Sequence, residues 1–162
     1  MKTEKALFAS GCFWGVQYHF DKHEGVLSTL VGFTGGSVEN PTYEEVSGGS
    51  TGHREAIEIV FDSNTTSYES LARLFFETHD FSQIGGQGPD IGERYTSAAY
   101  YFNESQKLIV EHLISELESR GQTVTTQVLP AAPFYPAEEY HQKYYEKTGG
   151  APYCHVYIKR FE

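Results

Sequence analysis

KALFASGCFWGVQYHFDK, residues 5–22, carries the change from a first strand to a first helix. Residues 5–9 read as a buried strand, and from 12 to 22 the spacing of Val16, His19 and Phe20 is helical, so Cys12 stands where the strand hands over to the helix. The first amides of a helix lack internal partners and carry partial positive charge, which favours thiolate over thiol. Free cysteine titrates near ~8.5, and a helix start or a nearby cation brings that to roughly 3.5–7.5. Phe13 and Trp14 put two aromatic faces beside the sulfur, while Gly11 and Gly15 leave room for close backbone approach, which suggests a small apolar pocket. The alternative reading of the pentapeptide is a buried structural cysteine among core aromatics.

Outward from this stretch, residues 26–33 form an apolar, β-branched run ended by Gly35-Gly36, a second strand. Residues 37–53 are turn chemistry with a short ordered piece at 43–46, and 55–61 are a third strand. Thr66-x-x-Glu69 reads as a capping box opening a helix with Leu71, Leu74 and Phe75, which ends near His79. Residues 80–94 hold four glycines and Pro89 without periodicity, a long loop of the kind that carries function. Strand composition resumes at 96–102, and Asn103-x-x-Gln106 caps a helix with Val110, Leu113, Ile114 and Leu117 on one face. A strand at 125–129, a short helix at 137–147 and a strand or extended tail at 153–161 complete the chain.

The order strand, helix, strand, strand, helix, strand predicts an α+β fold, a ferredoxin-like split βαβ two-layer sandwich with an additional C-terminal helix, strand and extended tail. A doubly wound parallel sheet is the alternative, and it would also place Cys12 at the carboxyl end of its first strand. At 162 residues the chain fits one domain, 1–162, with a flexible C-terminal segment from about 147.

Two cysteines are too few for a secreted disulfide scaffold, and Met1-Lys2-Thr3-Glu4-Lys5 lacks the apolar stretch of a signal peptide, so a cytoplasmic chain is expected. No apolar run approaches the ~20 residues that span a bilayer. The formal charge of −10, from 22 acidic and 12 basic residues, repels phosphate backbones and anionic lipid. Neither nucleic acid nor a membrane is expected as a partner. Twelve tyrosines supply hydroxyls that must find water, a partner or a substrate.

A reactive thiolate alone does not choose between hydrolysis, transfer and reduction. Glu55 enters the third strand among apolar neighbours that could raise its pKa and keep it protonated as a general acid, although by residue type it reads first as a solvated edge carboxylate. Tyr43, Asp90 and Tyr95 lie in the two glycine-containing loops and individually read as surface residues.

Gly-Cys-Phe-Trp-Gly at 11–15 closely resembles the signature of type A peptide-methionine sulfoxide reductases. The likeness continues in order through Asn40-Pro41-Thr42-Tyr43-x-x-Val46, Gly52-His53-x-Glu55-Ala56, His79-Asp80 to Tyr95 with Gln87-Gly88-x-Asp90-x-Gly92, and Phe134-x-Pro136-Ala137-Glu138-Glu139-Tyr140-His141-Gln142. The resemblance implies that Cys12 is the nucleophile, that Phe13 and Trp14 hold the substrate methyl, and that Glu55, Tyr43 and Tyr95 surround the sulfoxide oxygen, with Asp90 a further polar residue near Tyr95. It implies the S epimer as substrate, free or in peptides and oxidised proteins, with no cofactor or metal. Cys154 would resolve a Cys12 sulfenic acid as a disulfide reduced by thioredoxin, or dithiothreitol in its place. A monomer is expected. Thr96 departs from the pattern, since relatives often have arginine after the tyrosine, and the chain closes with residues 155–162 instead of a glycine-rich tail bearing a third cysteine.

Two other classes remain in view from the residues. A cysteine hydrolase or acyltransferase would use Cys12 with His53, His79 or His141 as base. A metal or redox-sensing module would be built from Cys12, Cys154 and some of the seven histidines, but their spacing shows no paired ligand signature.

Overall fold

The structure, a computed structural model, describes residues 2–150, 152 and 155–161. In chain order the elements are β1 (Thr3–Ala9), α1 (Phe13–Phe20), β2 (Val26–Thr34), α2 (Tyr43–Ser47), β3 (Arg54–Asp62), α3 (Tyr68–Glu77), β4 (Gly86–Gln87), β5 (Asp90–Ile91), β6 (Ala98–Tyr101), α4 (Glu104–Ser119), β7 (Gln127–Pro130), β8 (Phe134–Pro136) and α5 (Tyr144–Thr148). The large sheet runs β7-β6-β1-β3-β2-β8, and β4 pairs with β5 as a separate hairpin. Its central four strands, β6-β1-β3-β2, are antiparallel throughout. This is the split βαβ arrangement predicted from the element order, and it excludes the doubly wound parallel sheet. The later helix α4 returns the chain so that β7 joins β6 in parallel.

Alternation along the strands sorts side chains between two layers. Ala6 and Phe8 of β1, Val31 and Phe33 of β2, and Ile57, Ile59 and Phe61 of β3 face the helices in the main core. Leu7, Ala9, Ala56, Ala98 and Tyr100 make a smaller cluster on the opposite face. Phe8 ties the main layer together, its ring 4.8 Å from Phe75, 5.7 Å from Tyr68 and 5.8 Å from Phe20. On α1 the buried face is Phe13, Val16, Gln17 and Phe20, spaced as one side of a helix. On α4 it is Gln106, Val110, Leu113 and Leu117, and Asn103 caps the start by accepting from the Gln106 amide.

Three readings of the sequence are corrected. The cap of α3 is Ser67, which accepts from Ser70 N, because the Thr66 hydroxyl is engaged by His23 and its methyl sits against Gly25. The helix expected over 137–147 breaks into a 3₁₀ turn (Glu139–His141) and α5. Between them Gln142 bonds both the amide and the carbonyl of Val31, and Lys143, at φ 55°, gives its amide to Gln17. Finally, β8 falls in a segment whose Pro133 and Pro136 conceal a strand. It docks against β2 at Gly32, where any side chain would collide with the Tyr135 carbonyl oxygen.

Residues 155–161 form no strand and are held against the rest of the chain at three points. Ile158 donates to the Glu77 carbonyl at 2.8 Å, Arg160 to the Glu77 carboxylate at 3.1 Å, and the Phe161 ring is buried. Among the described residues no helix is long and apolar enough to cross a membrane.

Candidate active site

The turn from β1 into α1 sets the position of Cys12. Gly11 takes φ 100°, which L residues avoid, and a Cβ there would stand 2.7 Å from Cβ of Gln87. Cys12 follows as the N-cap of α1, 9 % exposed, without a side-chain capping bond. Gly15, one turn on, leaves the space into which the His155 ring fits, and that ring binds the Ser10 carbonyl at 2.7 Å. Both glycines of the pentapeptide therefore admit neighbouring segments: the β4–β5 hairpin through Gln87 and the C-terminal tail through His155.

Glu55 is 1 % exposed, so the reading as a solvated edge carboxylate is wrong. It belongs to the row Glu55, Ile57, Ile59, Phe61 that faces the helices, and it pairs in register with Phe33 of β2. One carboxyl oxygen accepts the Phe13 amide, the first of α1, at 3.2 Å. The other is buried without a hydrogen-bond partner among the described residues. Burial pushes the acid up to about 8, against the downward pull of the Phe13 bond and of Arg94. Glu55 is therefore protonated at neutral pH, its carbonyl-type oxygen held by the helix and its other oxygen available to carry the proton.

Tyr43 opens α2, positioned by a capping box in which Thr42 and Glu45 satisfy each other's amides. Tyr95 ends the 3₁₀ turn Glu93–Tyr95 and is 8 % exposed, so it is no surface residue. Burial and then the nearby Glu55 raise both phenols, which keeps their hydroxyls protonated as donors. Tyr43 also lies within electrostatic reach of Cys12, and Asp90, from β5, acts on Glu55 and Tyr95. Cys12, Tyr43, Glu55, Asp90 and Tyr95, from four separate stretches of sequence, are thus brought to one place.

An aromatic wall closes the other side. Phe13 lies 5.6 Å from Phe33 and 6.4 Å from Tyr43, ring to ring. Trp14 stacks on Tyr144 at 3.8 Å, and its indole N–H donates to His141 Nδ1 at 3.2 Å. His141 in turn stacks on Tyr43 at 4.4 Å. His53 and His79 spend both ring nitrogens on packing: His53 on Gly36 and Val38, His79 on Phe75 and Ser97. Burial drives His79 down to about 3, so it is neutral.

Sequence reasoning passed over Arg94, which lies over both tyrosine rings, and His141, which it considered only as a hydrolase base. The signal for Arg94 was its place beside Tyr95. Cys154 lies outside the described residues.

A thiol at the head of a helix, a buried acid and two phenols gathered on an α+β sandwich make a candidate active site for a thiol-dependent enzyme. The model of the peptide methionine sulfoxide reductase family matches residues 4–162. Peptide methionine sulfoxide reductase MsrA of Methanococcoides burtonii is 46 % identical over 147 residues, 89 % of this chain and 96 % of that relative. The solved methionine sulfoxide reductase A of Corynebacterium diphtheriae is similar with a TM-score of 0.84 and 34 % identity, over 99 % of this chain and 84 % of that one. Mxr1 from Saccharomyces cerevisiae in its reduced form gives a TM-score of 0.90 at 27 % identity, over 99 % of this chain and 93 % of that one. The same yeast protein in complex with Trx2 shares the fold at a TM-score of 0.66 and 20 % identity, over 96 % and 90 %. The chain belongs to the peptide methionine sulfoxide reductase family, and its reaction is the reduction of methionine sulfoxide.

Proposed function

We propose that the substrate is methionine-(S)-sulfoxide, free or within peptides and proteins, and that Cys12 attacks its sulfur. The sulfoxide sulfur is electron-poor and its oxygen electron-rich, so a thiolate on one and proton donors on the other act together. The Cys12 sulfur bonds to the substrate sulfur while Glu55 gives its proton to the oxygen, with Tyr43 and Tyr95 donating hydrogen bonds to it. Net transfer of that oxygen leaves methionine and a Cys12 sulfenic acid. The Cys154 thiol then displaces water to form a Cys12–Cys154 disulfide, and the dithiol of thioredoxin reduces this by exchange. No metal or prosthetic group enters. Phe13 and Trp14 seat the terminal methyl, and a seated methyl presents one face of the chiral sulfur to Cys12.

The observation that carries this reading is the buried, protonated Glu55 bonded to the Phe13 amide, next in sequence to the nucleophile. Association of yeast Mxr1 with Trx2 supports thioredoxin as the reductant.

Each epimer, presented to stoichiometric enzyme without reductant, tests the scheme. The S epimer should yield about one methionine per chain and a protein two hydrogens lighter, with Cys12 linked to Cys154 by peptide mass. Equal reduction of both epimers would contradict the methyl pocket. With Cys154→Ser the first methionine should still appear, the protein gaining one oxygen, while thioredoxin-driven turnover falls by roughly 10²-fold or more. Undiminished cycling in that variant would remove Cys154 from the scheme.

A further inference from the structure

The guanidinium of Arg94 occupies a place that the scheme above leaves unused. Its Cζ lies 4.4 Å from the centroid of the Tyr95 ring and 5.7 Å from that of Tyr43. Nη1 donates to the hydroxyl of Ser47, the last residue of α2. One planar cation thus spans both phenols and is anchored to the same short helix that Tyr43 opens. Arg94 also exerts its charge on Glu55, on Tyr43 and on Tyr95. The residue after Tyr95 cannot take this part, because Thr96 accepts from Arg54 Nε at 2.8 Å and donates to the Glu93 carbonyl at 2.6 Å.

We propose that Arg94 is a positioning residue that clamps the Tyr43 and Tyr95 rings as one donor surface and supplies the cation beside Glu55. The inference rests on the reading of these three residues as the proton donors to the sulfoxide oxygen. A ring held on its face by a cation keeps its hydroxyl direction without the cation using that hydroxyl; the Tyr43 hydroxyl also bonds the side chain of Ser47, the same residue that takes the Arg94 bond. Arginine suits this better than lysine, since a planar guanidinium can stack on a ring and still donate from its edge. The groups acting on the acid are Asp90 from β5, Arg94 from the 3₁₀ turn and the Phe13 amide of α1. Tyr43 and Tyr95 face it in turn, with Cys12 and the stacked His141 beyond Tyr43. Asp90 opposes loss of the acid's proton and Arg94 favours it, so removing the cation should let Glu55 hold its proton to higher pH.

The test compares wild type, Arg94→Gln, Arg94→Lys, Ser47→Ala and Glu55→Gln for kcat and KM on methionine-(S)-sulfoxide with dithiothreitol between pH 6 and 10. Arg94→Gln should lose about tenfold in kcat with KM changed less than about twofold, and its alkaline limb should move up by about one pH unit. Arg94→Lys should return the limb to the wild-type position but recover only part of kcat. Ser47→Ala, which removes an exposed hydroxyl bonded to both Arg94 and Tyr43, should lose roughly two- to threefold in kcat. An Arg94→Gln enzyme whose limb stays in place, or whose loss lies in KM, overturns the inference while the role of Glu55 stands. A Glu55→Gln enzyme that keeps the wild-type limb removes the reading beneath it and the inference too. Should Arg94→Gln not fold, wild-type kcat in Ser47→Ala decides against the clamp.

Discussion

Cys12→Ser is expected to release no measurable methionine from the sulfoxide under saturating dithiothreitol, a fall on the order of 10⁴-fold or more. A serine hydroxyl is too weak an acid to offer an anion at this site, and no other group of the pocket can take the oxygen. The variant should fold, which makes the result interpretable. Cys12 stands at the N-cap of α1 with no side-chain capping bond, whereas serine is among the preferred N-caps. The expected thermal midpoint is therefore equal to or above that of the wild type. Circular dichroism melts beside the methionine assay check both halves. If the serine enzyme kept even one per cent of the rate, the oxygen would have to leave by a route that does not pass through position 12.

The same stretch shows how far residue pattern reaches. The strand-to-helix change at 5–22 and the apolar periodicities of β2, β3 and α4 were enough to place Cys12 at the head of α1 and to order the four central strands, because each is a local consequence of burial on one face. Burial of Glu55 was legible too, had period two been applied to a carboxylate. Ile57, Ile59 and Phe61 sit on the helix-facing side, so the residue two places before Ile57 must lie there as well. Residue type argued for solvent, and the strand's alternation prevailed.

What stayed hidden depends on contacts between distant segments. No local signal marks β8, whose prolines argue against a strand until β2 offers an edge and Gly32 the clearance. Nor could a helical pattern over 137–147 reveal that Gln142 would leave it to bond the β2 backbone. The clamp of Arg94 on two rings that stand 52 residues apart, at 43 and 95, arises only when the loop after β5 folds over α2. The resemblance to the family implied roles for Cys12, Glu55, Tyr43, Tyr95 and Asp90, while the hairpin and tail segments that fit at Gly11 and Gly15 are products of the assembled structure.

Glu55→Gln should lower the chemical rate by ~10² to 10⁴-fold at pH 7 and leave KM close to wild type, the range expected for a positioned acid. Glutamine keeps the shape and can still accept the Phe13 amide through its carbonyl, so α1 and Cys12 should hold their places. It cannot yield a proton to the departing oxygen. In the wild type, activity should decline above about pH 8 as Glu55 ionises, and this limb should be absent from the residual activity of the variant. Stability gives a second, independent reading of the same proton. The folded acid titrates near 8 and the unfolded one near ~4.3, so between those values unfolding releases a proton. The stability that Glu55 contributes is complete below the unfolded value and is lost as pH rises through the folded one, by on the order of 3 kcal/mol at pH 7. Wild type should therefore lose stability relative to Glu55→Gln as pH is raised from 4 to 8, measured by urea denaturation at each pH. Parallel pH curves for the two proteins would mean that Glu55 is already ionised when folded. A carboxylate there could accept hydrogen bonds but not supply the proton, and the acid would have to be sought in Tyr43 or Tyr95.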